Sequence, residues 1–283
     1  MRRRLAALAC VLAMAAAACG GGGTEAERVV EETGSKLGAI RSGVLQFRLT
    51  AGAIGASGED PEVGFELSGP FALAEPGALP VTQIDYTRIA GQARTTTQLV
   101  SNGSRAFVVI DGTAYQLPFE QTERLRAPRQ ASDDDGLGGL RVSAWVDDPQ
   151  LAPGEAVGDS PTDRVTGTVD VVRTLNDLFA FGRSVGASEL AVPEITGDDA
   201  DQLRRVTESA TLELLTGTDD RLLRRLSVDI RLSAQVPDRV RAALGPIAAA
   251  QIRFLLAVEQ PNTPVTVAAP EGALPASALP RPS

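Results

Sequence analysis

At 283 residues, with 36 acidic against 27 basic side chains and a net charge of −9, the chain is unsuited to nucleic acid, which selects for Lys and Arg patches. It has no histidine and only two cysteines, Cys10 and Cys19. This removes the usual zinc sites, His-based triads, downstream cysteine nucleophiles and any disulfide framework in the body of the chain.

Arg2, Arg3 and Arg4 followed by a short apolar run form a secretory leader over residues 1–18, too short for a spanning helix. Without the three arginines the mature chain carries 24 basic residues against 36 acidic. The run ends at Cys19, and Gly20 to Gly23 follow. Two readings of this junction are open. Ala16-Ala17-Ala18 suits ordinary A-x-A cleavage, whereas small residues before a cysteine resemble the lipobox of bacterial lipoproteins, in which that cysteine is acylated with palmitate-type chains. The second gives Cys19 a role and makes residues 19–27 an acylated cysteine with a flexible glycine tether. It places the protein outside the cytoplasm, on the outer face of the cytoplasmic membrane.

The spacing of Val29, Val30, Thr33, Leu37 and Ile40 predicts a helix from Glu25 to Ile40, with Thr24 as its N-cap. From Gly43 to Pro118 the chain reads as antiparallel strands with one apolar face. Leu45, Phe47 and Leu49 alternate with polar residues, and Phe65, Leu67, Phe71 and Leu73 continue in phase. Ile84, Tyr86, Phe107 and Val109 extend the pattern across the hairpin signals Asn102-Gly103 and Asp111-Gly112. Residues 119–160 are charged, Gly- and Pro-rich and weakly periodic, with short helices expected at Phe119–Arg126 and Leu137–Val146. The adjacent Asp133, Asp134 and Asp135 suit a solvated turn, not a calcium loop. A strand holding Val165 and Val169 leads to a helix through Val171, Leu175, Leu178 and Phe179, and a second helix is expected from Asp198 to Ser209. Two clean half-buried strands follow, one with Leu226, Val228 and Ile230, the other with Ile252, Phe254 and Leu256. Residues 270–283 read as a disordered Pro/Ala-rich tail, leaving 28–269 as the domain.

Several pieces, taken in order, resemble the actinobacterial LppX/LprG family of lipoproteins, whose fold is similar to that of the LolA lipoprotein carriers. They are Cys19, "GVLQFRLT", "DRVTGTVDV", "DDRLLRRLSVDIRLS" and "FLLAVEQPNTPVTVAAP". The resemblance implies an α+β fold, a strongly curved antiparallel β half-barrel with helices packed on the concave face. It also implies an apolar cavity that binds acylated lipids or lipoglycans and carries or presents them in the cell envelope. An envelope transporter would be a further partner. The Gly/Pro-rich stretch between Gln121 and Ser160 departs from the family where it would place the cavity rim.

On this reading the cavity is lined by Leu45, Phe47, Leu49, Phe65, Leu67, Phe71, Leu73, Ile84, Tyr86, Phe107 and Val109 from the first half. Leu226, Val228, Ile230, Ile252, Phe254 and Leu256 line it from the second, and Val30, Leu37, Leu175 and Leu178 belong to the helical cover. The same periodicity is equally that of an ordinary core. No cofactor or metal is expected. No spaced acidic or nucleophile motif marks an enzyme, and the alternative to a carrier is a sensor or protein-interaction lipoprotein on the same fold.

Overall fold

The computed structural model describes residues 24–53, 62–75, 77–126, 136–184, 194–233 and 250–279. The leader, Cys10, Cys19, the glycine tether up to residue 23 and the Asp133–Asp135 run lie outside the described residues. Helix α1 (Glu25–Ser35) starts where expected: the Thr24 hydroxyl accepts from the Glu27 N–H at 3.2 Å, and the Glu27 carboxylate accepts from the Thr24 N–H. It stops at Ser35, short of Ile40, and a 3-10 turn at Leu37–Ala39 feeds the first strand.

Six strands form the first meander: β1 (Ser42–Ala53), β2 (Glu62–Ala72), β3 (Val81–Gly91), β4 (Ala93–Asn102), β5 (Ala106–Ile110) and β6 (Thr113–Gln116). After α2 (Phe119–Arg124) come β7 (Val146–Pro153) and β8 (Thr162–Val169), then α3 (Val171–Ser184) and α4 (Gly197–Val206). The chain ends in β9 (Thr207–Gly217), β10 (Leu223–Leu232) and β11 (Ala250–Glu259). All eleven strands join one antiparallel sheet in the order β6-β5-β4-β3-β2-β1-β11-β10-β9-β8-β7. The two meanders meet at β1 and β11, ten residues in unbroken register from Val44 opposite Glu259 to Ala53 opposite Ala250.

Partners in an antiparallel ladder share a face, so the register sorts the side chains without ambiguity. One inner row runs Val165, Leu214, Leu226, Leu256, Phe47, Leu67, Tyr86 across β8, β9, β10, β11, β1, β2 and β3. Helices α1, α3 and α4 cover this face, and Val29, Val30, Leu175, Leu178, Phe179 and Leu203 join its buried cluster. The open sheet bends round them as a half-barrel. Two glycines in β2 permit close strand approach: Gly64 (φ 151°) and Gly69 (φ 137°), where a Cβ would stand 2.1 Å from the carbonyl oxygens of Leu49 and Gln83.

Several elements differ from expectation. The second helix ends at Val206 and passes directly into β9, a strand not anticipated over "TESATLELLTG". The Leu137–Val146 helix is replaced by 3-10 turns at Gly136–Gly139 and Val142–Ala144, followed by β7. Trp145 is fully buried there, its indole N–H donating to Asp177 Oδ2 at 2.8 Å while Arg141 donates to Asp177 Oδ1 at 2.6 Å. Asp177 of α3 thus holds the excursion onto the lid. At the free side of β7, Asp148 has a positive φ and Pro149 follows it within a register shift.

The end of the chain differs as well. Residues 270–279 are not a free tail. Asn262 fastens the exit from β11, accepting from the Arg41 N–H at 2.7 Å and donating to the Ala39 carbonyl at 3.1 Å. Val265, Val267, Ala269 and Ala273 then pack on Val100 and Phe107 on the outer face. Leu274 pairs in parallel with Tyr115 along the free side of β6, its N–H donating to Ala114 O and its carbonyl accepting from the Gln116 N–H, both at 2.9 Å.

At the β9–β10 turn, burial works against ionisation of Asp220, but hydrogen bonds from Arg224 (2.7 Å) and the Leu222 N–H (2.9 Å) outweigh it and hold the carboxyl below its ordinary 3.8. A depressed folded pKa means stability that is complete above the ordinary value and is lost as the pH falls through the folded one. Thermal melts of Asp220→Asn should therefore show a shallower loss of stability on the acid side than wild type; identical slopes would remove Asp220 from the acid response. Ending the chain at Thr263 should uncover Phe107 and Val100 and cost on the order of 2–4 kcal/mol. A lower unfolding midpoint with increased binding of an apolar dye checks this.

Candidate functional site

The inner face divides into two parts that sequence periodicity does not distinguish. Behind β8 to β11, β1 from Phe47 onward and Phe65 of β2, the apolar side chains named below have almost no surface that a water could touch. Leu226, Ile230 and Leu256 are 0 % exposed, Phe47, Ile252 and Phe254 are 2 %, Val228 and Phe65 are 3 %, and Leu49 is 5 %. A wall able to receive an acyl chain would present accessible surface. These nine are consequently packed core, and their placement as cavity lining is corrected. Aromatic rings show what fills the space: Phe47 stacks on Phe65 and on Phe181 of α3, and meets Phe254 edge-on, each at 5.3 Å between centroids, and Trp145 meets Phe254 edge-on at 6.4 Å.

Phe107 and Val109 require a different correction. Val100 pairs with Phe107 and Gln98 with Val109, whereas the inner-face residues Ile84 and Leu99 lead to Val108. Phe107 and Val109 therefore lie on the outer face, under the C-terminal segment, and cannot share a site with Tyr86.

What the sequence assigned to the cavity and the structure leaves partly open is a smaller group toward β2 and β3. Leu45, Leu67, Leu73, Ile84 and Tyr86 are partly buried and pack against the edge of the main core, with Phe71 beside them at 9 % exposed. Gly69 stands opposite Leu45, where a Cβ would collide with the Gln83 carbonyl at 2.1 Å, so β2 and β3 approach closely beside Ile84. The same face continues through the partly buried Leu99, Val108 and Tyr115, of which the sequence pattern missed Val108. Their signal was present in the two hairpin turns. Asp111 and Gly112 both take positive φ in a two-residue loop joining Ile110 to Thr113, which fixes the phase of β6 relative to β5. The result is an apolar, partly exposed wall spanning β1 to β6. Among the described residues no group of side chains is able to hold a metal.

No family model and no curated protein matches the chain. Among solved structures it is similar to LprF from Mycobacterium bovis, with 15 % identity over 89 % of this chain and 100 % of that one and a TM-score of 0.46. It is also similar to the LolA superfamily protein NE2245 from Nitrosomonas europaea, with 8 % identity over 84 % of this chain and 95 % of that one and a TM-score of 0.22. Likeness of this degree assigns neither a ligand nor a residue role.

The division into core and wall is measurable. Ile230→Ala should cost about 2–5 kcal/mol, as for a large-to-small change in a closed core. Ile84→Ala, at a partly open position, should cost about 1 kcal/mol or less. Chemical denaturation of the two variants tests this; equal losses would make the wall an extension of the core.

Proposed function

We propose that the chain is a binding protein for acyl lipids, not an enzyme, and that the wall from β1 to β6 receives the hydrocarbon chain. The observation that supports this reading is the continuity of Leu45, Leu67, Leu73, Ile84 and Tyr86 as partly exposed apolar side chains on the face that the helices otherwise cover. Each methylene transferred from water to such a surface gains about 0.8 kcal/mol, so a sixteen-carbon chain has on the order of 12 kcal/mol available before association losses. Affinity of this size needs no charged contact. Acylation of Cys19 would anchor the protein to the outer face of the cytoplasmic membrane, with the glycines after it letting the domain reach the bilayer. Carriage or presentation of acylated lipids or lipoglycans, and delivery to an envelope transporter, complete this reading.

The solid packing around Phe47 and Phe254 favours one other role, in which the same wall docks an apolar segment of a protein partner in an envelope sensor. Native mass spectrometry of the mature protein, paired with an organic extract of the sample, separates the two. The lipid reading expects a co-purifying acyl species or uptake of added phospholipid. It also expects Leu67→Trp and Ile84→Lys to reduce that uptake about tenfold or more, with small changes in unfolding midpoint. A bare polypeptide mass with no uptake would discard it in favour of the sensor.

A further inference from the structure

The outer face of the sheet carries a second feature, unrelated to the apolar wall. A half-open groove of about 810 Å³ crosses it from β1 to β7. Its floor follows two adjacent rows of the register. One runs Gln150, Thr166, Glu213, Ser227, Leu255, Arg48, and the other Thr168, Thr211, Asp229, Arg253. Five interstrand steps of ~4.8 Å give the groove a length of about 24 Å. It is long and narrow, and it lies across the strands, where no backbone edge is free to pair with a peptide.

The charges that line it are nearly all committed to one another. Arg48 and Arg253 are bridged by Glu62 at 2.8 and 2.9 Å, Asp229 accepts from Gln251, and Glu213 pairs with Arg225 at 2.9 Å. Among the described residues the polar groups left without a protein partner are the hydroxyls of Thr166, Thr211 and Ser227, the Gln150 amide and the Asp148 carboxylate at one end. Hydroxyls, an amide and one carboxylate, set over Leu255 and the threonine methyls, can exchange hydrogen bonds with a polyol while covering its C–H faces. With Arg48 and Arg253 both bridged by Glu62, the unpaired Asp148 carboxylate disfavours an anion in the groove.

We propose that this groove binds a linear, uncharged oligosaccharide laid across strands β1, β11, β10, β9, β8 and β7. The site is on the opposite face from Leu67 and Ile84, so it stands whether or not the protein takes up lipid.

The test titrates the isotopically labelled mature chain with neutral hexasaccharides (maltohexaose, cellohexaose and α-mannohexaose) and with hexagalacturonate as the anionic control, following backbone amides. At least one neutral sugar should shift Thr211, Ser227 and Leu255 with a dissociation constant of about 0.1–1 mM, and hexagalacturonate should not. Ser227→Trp, which fills the groove from a solvent-facing position, should weaken that sugar tenfold or more and leave the unfolding midpoint and the Leu67-dependent lipid uptake unchanged. The proposal is overturned if no neutral hexasaccharide moves those amides at about 10 mM, if hexagalacturonate binds as tightly, or if Ser227→Trp leaves binding intact.

Discussion

Everything in this fold depends on the ladder between β1 and β11, where the first and last strands of the sheet's two meanders exchange hydrogen bonds without a slip. Side chains alternate with a period of two, so a shift of one residue here would turn Phe47, Leu49 and Ala51 to solvent and bring Arg48 and Thr50 under the helices. Phe47 sits at the centre of that constraint, touching Phe65 on one neighbouring strand, Phe254 on the other and Phe181 above. Burial of that cluster and the hydrogen-bond register specify the same alignment, and such agreement is what selects one pairing over its neighbours.

From that centre the sheet has two different halves. Toward β8 the lid is complete, because α1, α3 and α4 each turn an apolar stripe inward and Asp177 secures the segment carrying Trp145 against them. Toward β6 the inner side chains keep partial exposure, and it is the outer face that is closed, by the segment from Val265 to Leu274. Covering has in effect changed sides along the sheet. The interior is a core at one end and a surface at the other.

The amino-acid sequence made the central strands legible, because β1, β10 and β11 alternate cleanly and have no competing period. It concealed β9, since "LELL" favours a helix and the preceding helix runs into it without a turn residue. It concealed β7, since Pro149 and Pro153 argue against a strand everywhere except at an edge. The phase of β5 was unreadable for another reason: Ala106 to Ile110 is apolar on both faces, and choosing the bulkier Phe107 and Val109 as inward ignored the possibility that the chain's own end covers the outside. The wall residues near Tyr86 were found because alternation marks them. Which marked residues remain open was not written in their spacing, since it depends on helices packing from a distance.

The two borders of this wide sheet share a property. At β6 the outermost backbone groups are occupied by Leu274, and at β7 the Asp148-Pro149 irregularity interrupts them. Eleven strands without closure would ordinarily be a template for recruiting more strands from other chains, and here neither margin can act as one. The molecule can stay solitary at high local density, leaving its faces, not its rims, to meet other molecules.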